Sequence, residues 1–125
     1  MCNNHGPCLV LVKEPPSKKI YGGYNPLNFV NDNVGRYYNT SESFIFSFEN
    51  DNDTTNMKIS RIINPDYAIH EYDGRGFNFG SGTFYMQGHD VFLNYRGYYD
   101  QNVINSNMNN INFIPKEIEV YKINS

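Results

Sequence analysis

The sequence has no tryptophan, only two cysteines, and no basic run longer than Lys18-Lys19. Cys2 and Cys8 lie close together near the amino terminus, with no histidine or further cysteine at metal-ligand spacing. A zinc framework is therefore excluded, and both are expected as free thiols. Ten basic residues are scattered against thirteen acidic ones, for a net charge of -3, which excludes the positive footprint that a nucleic-acid backbone requires. The longest apolar run covers residues 9–12, far short of a membrane span or a signal-peptide core. The expectation is a cytoplasmic chain without membrane insertion, so Asn39-Thr40-Ser41 and Asn52-Asp53-Thr54 match the glycosylation pattern by chance.

What is present favours sheet. The aromatic content is entirely 11 tyrosines and 9 phenylalanines, residue types that fit a pleated, half-buried surface. Residues 8–13 form a short apolar, β-branched run that suits a strand buried on both faces. Two prolines in Glu14-Pro15-Pro16-Ser17-Lys18 remove ladder donors and make a hairpin-like connection. In the next strand, Lys19-Ile20-Tyr21-Gly22-Gly23-Tyr24-Asn25-Pro26-Leu27, the glycine pair predicts a bulge and admits a bulky ring, and Pro26 forces a corner. Residues 28–42 show neither helical nor strand period and are expected as a long ordered loop.

In residues 43–49, Phe44, Phe46 and Phe48 project to one side and Ser43, Ile45 and Ser47 to the other; three rings on one face predict a facing sheet. A polar turn leads to an alternating strand from Met57 to Ile63. Asn64-Pro65-Asp66 suits a type I turn, and residues 67–72 return as a third strand of a meander. Short strands around Gln87-Gly88-His89 and a closing Glu/apolar strand from Glu117 to Ile123 complete the reading. The fold class that follows is mainly β, an antiparallel two-layer β-sandwich with little helix.

No constellation of reacting groups stands out. Asp51-x-Asp53-x-Thr55 begins like a calcium loop, but Asn56 and Ile62 occupy the positions that need glycine and a bidentate glutamate. His5, His70 and His89 are too widely separated to suggest a zinc site. Glu117 and Glu119 share one strand face about 7 Å apart, a spacing compatible with an acid/base pair; as strand carboxylates they also fit edge-guarding residues. Tyr37-Tyr38 and Tyr95-Arg96-Gly97-Tyr98-Tyr99 are the stretches suited to recognition, by stacking on a sugar or anchoring a protein.

Three motifs carry a family resemblance. Ile20-Tyr21-Gly22-Gly23-Tyr24-Asn25-Pro26-Leu27, the Ser43-Phe44-Ile45-Phe46-Ser47-Phe48 strand and Glu117-Ile118-Glu119-Val120-Tyr121 together resemble the TLDc domain of the oxidation-resistance proteins. Gly76-Phe77-Asn78-Phe79-Gly80 is similar to a Gly-Pro-x-Phe-Gly motif of that family but lacks its proline. Residues 1–7 are set apart as an extension and residues 8–125 as the domain, corresponding to the later part of the family's domain without its helical opening. The resemblance implies a two-sheet β-sandwich with Gly22, Gly23, Tyr24, Pro26, Phe44, Phe46, Phe48, Gly76, Phe79, Gly80, Glu117 and Glu119 as its motif positions. It also implies a non-enzymatic, cofactor-free interaction module linked to oxidative-stress protection, with the vacuolar proton-ATPase as partner. A carbohydrate-binding sandwich using the tyrosine stretches is the alternative.

Overall fold

The computed structural model describes residues 7–15, 18–26, 37–50, 56–70, 76–103, 107 and 110–122. Strands β1 (Cys8–Glu14), β2 (Lys19–Asn25), β4 (Phe44–Phe48), β5 (Lys58–Arg61) and β11 (Glu117–Lys122) form one antiparallel sheet in the order β11-β1-β2-β4-β5. Strands β3 (Tyr37–Tyr38), β6 (Ile69–His70), β7 (Asn78–Phe79), β8 (Phe84–Gln87), β9 (Asp90–Leu93) and β10 (Ile111–Phe113) form the other, in the order β10-β9-β8-β7-β6-β3. The two-layer architecture expected from the sequence is therefore present.

Alternation decides which side chains enter the space between the layers. Cys8, Val10, Val12, Tyr21 and Ile45 from the first sheet meet Ile69, Phe77, Phe79, Phe84, Val91 and Leu93 from the second in a single core. Burial on β1 alternates, with Leu9 and Leu11 only partly covered, so this strand is not buried on both faces as its apolar run suggested. A continuous apolar run cannot by itself separate a doubly covered strand from one whose outer face is apolar for another reason.

The glycine pair is a place of close approach and not a bulge. Gly22 and Gly23 hold regular register with Leu11 and Val10 on one side and with Phe46 and Ile45 on the other. A Cβ on Gly23 would lie 2.5 Å from the Phe79 ring of the opposite sheet, and one on Gly22 would lie 2.3 Å from the Phe46 ring and 2.7 Å from the Val10 carbonyl oxygen. Each glycine is flat because a ring rests on it, one ring on each side of the sheet.

The phenylalanine triad faces the opposite way to the expectation. Ile45, paired with Gly23 and Ser60, points into the core with Ser43 and Ser47, whereas Phe44, Phe46 and Phe48 line the outer surface of the first sheet. Periodicity gives the two faces of a strand but does not say which one meets the second layer; the register opposite Gly23 does. The expected meander is also interrupted. Asn64 accepts a hydrogen bond from Asp66 N (3.2 Å) and starts a single 3-10 turn over Pro65–Tyr67. Residues 69–70 then join the second sheet, next to β7 and β3.

Tyr37 and Tyr38 pair with His70 and Ile69 in β3 and are not loop residues. The hairpin of β8 and β9 around Gly88-His89 is as the sequence indicated, while β7 and β10 were hidden in glycine-rich and asparagine-rich stretches. Cys8 is disulfide-bonded and no described cysteine is a free thiol, which corrects the expectation of two free thiols; Cys2 lies outside the described residues, as does the rejected calcium-like stretch 51–55.

Substituting Gly23→Ala should lower stability by about 1–3 kcal/mol, the ordinary cost of overpacking a filled core. Urea unfolding will read this as a lower midpoint. The double variant G23A/F79L should lose less than the sum of the two single changes, because the smaller side chain vacates the space that the new methyl needs.

Candidate functional site

Two regions gather the residues that the sequence singled out: a hydrogen-bonded junction between the sheets, and the outer surface of the first sheet with its β11 edge. At the junction, Gly80 adopts φ +66°, and a Cβ there would lie 2.5 Å from Thr83 Oγ1 and 2.8 Å from the Tyr99 ring. Glycine is required both for the backbone conformation and for the space. Gly80 N donates to the Ala68 carbonyl (2.8 Å), and Thr83 Oγ1 donates back to the Gly80 carbonyl (2.8 Å).

Tyr99 completes this junction. It is 2% exposed, its hydroxyl donates to the Ala68 carbonyl (2.9 Å), and it lies 2.7 Å from Ser43 Oγ. The single Ser43 hydroxyl proton is shared between Tyr99 and the Tyr24 carbonyl, 2.9 Å away. One phenol thus ties the ends of β2 and β4 to the approach to β6. Burial drives the Tyr99 phenol well above the ordinary tyrosine range, only partly opposed by the Ser43 hydroxyl. Burial raises Tyr21 as well, with Glu14 and Glu49 adding to the effect.

The structure separates the tyrosines of residues 95–99. Tyr99 is core, Tyr98 stacks on Tyr67 with ring centroids 4.7 Å apart, and Tyr95 alone of the three is exposed. The side chains of Tyr37 and Tyr38 lie outside the described set.

Residues following Tyr98 act as a strap along β5. Asp100 N donates to the Arg61 carbonyl (2.9 Å) and Arg61 N donates to Asp100 Oδ2 (3.1 Å). Asn102 Nδ2 donates to the Ile59 carbonyl (2.9 Å) and Val103 N donates to Ser60 Oγ (2.7 Å). Nothing in the Asn-rich composition signalled this role, because such contacts depend on which strand comes alongside.

The outer surface of the first sheet is built from the strand positions that miss the core. Leu9 and Leu11 of β1, Ile20 and Tyr24 of β2, the three phenylalanines of β4, and Ile59 of β5 share it by register. Tyr24 stacks on Phe44 at 5.3 Å, Phe44 contacts Phe46 at 6.0 Å, and Phe46 meets Phe48 edge-on at 5.7 Å. The Arg61 guanidinium lies 5.8 Å from the Phe44 ring centre, over its face. Most of these side chains remain partly accessible, an apolar surface of the kind that marks interaction sites.

Glu117 and Glu119 lie at the β11 border of this surface. Beside them is a hollow of about 270 Å³ lined by Leu11, Val12, Lys13, Ile20 and the two carboxylates. Lys13 Nζ is 3.9 Å from Glu117, and the Tyr121 hydroxyl donates to Glu119. That carboxylate raises the exposed Tyr121 phenol above its usual range, by hydrogen bond first and by charge second. His89 is exposed in the β8–β9 turn, and among the described residues no three His, Cys, Asp or Glu side chains converge to hold a metal.

The remaining motif positions have structural places. Phe79 is fully buried over Gly23 and Phe77 beside it, Gly76 leads into β7, and Pro26 follows the last residue of β2. The Gly23–Phe79 contact sets the distance between the sheets. Among known families, the model of the TLDc domain matches residues 1–124. The chain belongs to the TLDc family. No curated protein matches it. Among the described residues of this TLDc chain, no helix is long and apolar enough to cross a membrane.

Removing the Tyr99 hydroxyl with Tyr99→Phe should cost about 1–3 kcal/mol, because Ser43 and the Ala68 carbonyl lose a buried partner. The raised phenols also set an alkaline limit. A folded-state value above the unfolded one contributes stability that is fully present below the unfolded tyrosine value of about 10 and is lost as pH rises beyond it. Chemical unfolding midpoints should stay level up to about pH 9 and fall above about pH 10, with a shallower fall in Y99F, whose residual slope comes from the other raised phenols, Tyr21 and the exposed Tyr121.

Proposed function

We propose that this TLDc domain is a non-enzymatic protein-interaction module acting in oxidative-stress protection through the vacuolar proton-ATPase. The observation that carries this reading is the outer surface of the first sheet, where Leu9, Leu11, Ile20, Tyr24, Phe44, Phe46, Phe48 and Ile59 turn away from the core. An apolar face on a rigid sheet offers area and shape to another protein, and small reacting groups are not needed to use it.

Membership of the TLDc family supports the same reading, since the resemblance in its motifs implied a non-enzymatic interaction module. The carboxylate pair favours it over hydrolysis. Glu117 stands beside Lys13, Glu119 accepts from Tyr121, and both are solvent-exposed, whereas a general acid needs a desolvated carboxyl kept protonated near neutral pH. A sugar platform is disfavoured by the burial of Tyr99 and the stacking of Tyr98 on Tyr67.

The test is affinity capture of vacuolar proton-ATPase from solubilised vacuolar membranes on the immobilised domain. Subunits of the ATPase should be enriched over an unrelated β-sandwich control. A variant carrying F44S and F48S on the outer surface should lose most of that enrichment while unfolding cooperatively; equal recovery on control and domain would reject the reading.

A further inference from the structure

We propose that the free edge of β11 binds an extended segment of another protein as an added antiparallel strand, one in which lysine or arginine alternates with apolar residues. This rests on the interaction-module reading and names a surface for it. Among the described residues the two sheets end in four edge strands, β11 and β5 in the first and β10 and β3 in the second. β5 is held by the strap of Asp100 and Asn102, which occupies the Arg61 amide and the Ile59 and Arg61 carbonyls. β3 and β10 are two and three residues long. β11 is six residues long, and among the described residues it has β1 on one side and no strand on the other.

An unpaired edge of this length is a template of backbone donors and acceptors, and its side chains state what should lie opposite. Ile118 and Val120, on the side of the sheet that faces the core, remain 37% and 36% exposed, so the core stops short of the edge and an apolar neighbour would extend it. Glu117 and Glu119 project on the other side, next to the hollow floored by Leu11 and Ile20. Residues directly opposite on paired strands have Cβ atoms about 5 Å apart. A lysine opposite Glu119 can therefore lay its aliphatic stem toward Leu11 and Ile20 and hold its ammonium between the two carboxylates.

Charge also argues against a second copy as the occupant. Symmetric antiparallel pairing keeps like faces together, so a two-fold axis at Glu119 sets Glu119 against Glu119. An axis at Ile118 sets Glu117 against Glu119. Both registers place like charges at or beside the centre of the interface, whereas a basic-apolar strand meets both rows of β11 with complementary groups.

The experiment titrates the full chain, at low salt, into a fluorescein-labelled peptide of alternating lysine and valine, with a glutamate-valine peptide as control. Saturable binding of the lysine peptide is expected, with hydrogen exchange slowed at the β11 amides. E117K/E119K, which alters exposed side chains and should still unfold cooperatively, should weaken the lysine peptide by about tenfold through loss of two rim charge pairs and gain of repulsion. The same variant should acquire binding of the glutamate peptide.

Absence of saturable binding, affinity unchanged by the charge reversal, protection appearing at another edge, or a dimer of the chain paired through β11 would each overturn the proposal. Capture of the ATPase on the domain alongside such a result would remove the edge alone and leave the module reading standing. Loss of both would remove the two together.

Discussion

The Phe79 ring rests on the backbone of Gly23, and most of the architecture follows from that contact. A side chain at this position would have to occupy space 2.5 Å from the ring, so the sheets could not close to their present separation. Closure brings Phe77 and Phe84 around Phe79, with centroid separations of 6.1 and 5.8 Å, and fills the interior with rings from the second sheet opposite aliphatic side chains and Tyr21 from the first. Large residues on one layer opposite small ones on the other let the layers interlock without voids.

That choice of contact fixes the sidedness of everything paired with β2. With Gly23 inward, Ile45 must be inward too, because they are register partners, and the phenylalanines of β4 are carried to the outer surface. The apolar surface assigned to interaction is thus a consequence of how the core is closed. The second glycine serves that outer surface, since Phe46 lies over Gly22 as Phe79 lies over Gly23. The consecutive glycines, one per face, let rings settle on both sides of one strand.

The junction at Tyr99 solves a different problem. Where β2 ends and β4 begins, backbone carbonyls and the Ser43 hydroxyl lie out of reach of water, and buried polar groups need partners. Tyr99 supplies one hydroxyl that serves both sheets, and its chain neighbours continue as the strap over β5. One segment therefore closes the interface and covers an edge that would otherwise offer itself for pairing. β11 carries no such cover among the described residues, and its charged outer row is the remaining protection against indiscriminate association. A row of that kind tolerates a partner of opposite sign, which is how a guarded edge and a recognition site can be the same strand in a TLDc domain.

The amino-acid sequence by itself determined that the chain is mainly strand, the β1–β2 and β8–β9 hairpins, the closing strand and the family motifs, because alternation and turn residues act over a few neighbours. It also marked Gly22 and Gly23 as a place where a ring comes close, although not as an unbulged strand. Only the tertiary structure decided which face of β4 is buried, that Tyr99 belongs to the core, that residues 69–70 cross to the second sheet, and that β5 is covered while β11 has no outer neighbour among the described residues. Each of these depends on a contact between residues distant in the chain, and a strand of period two has the same local pattern whichever of its faces meets the second layer.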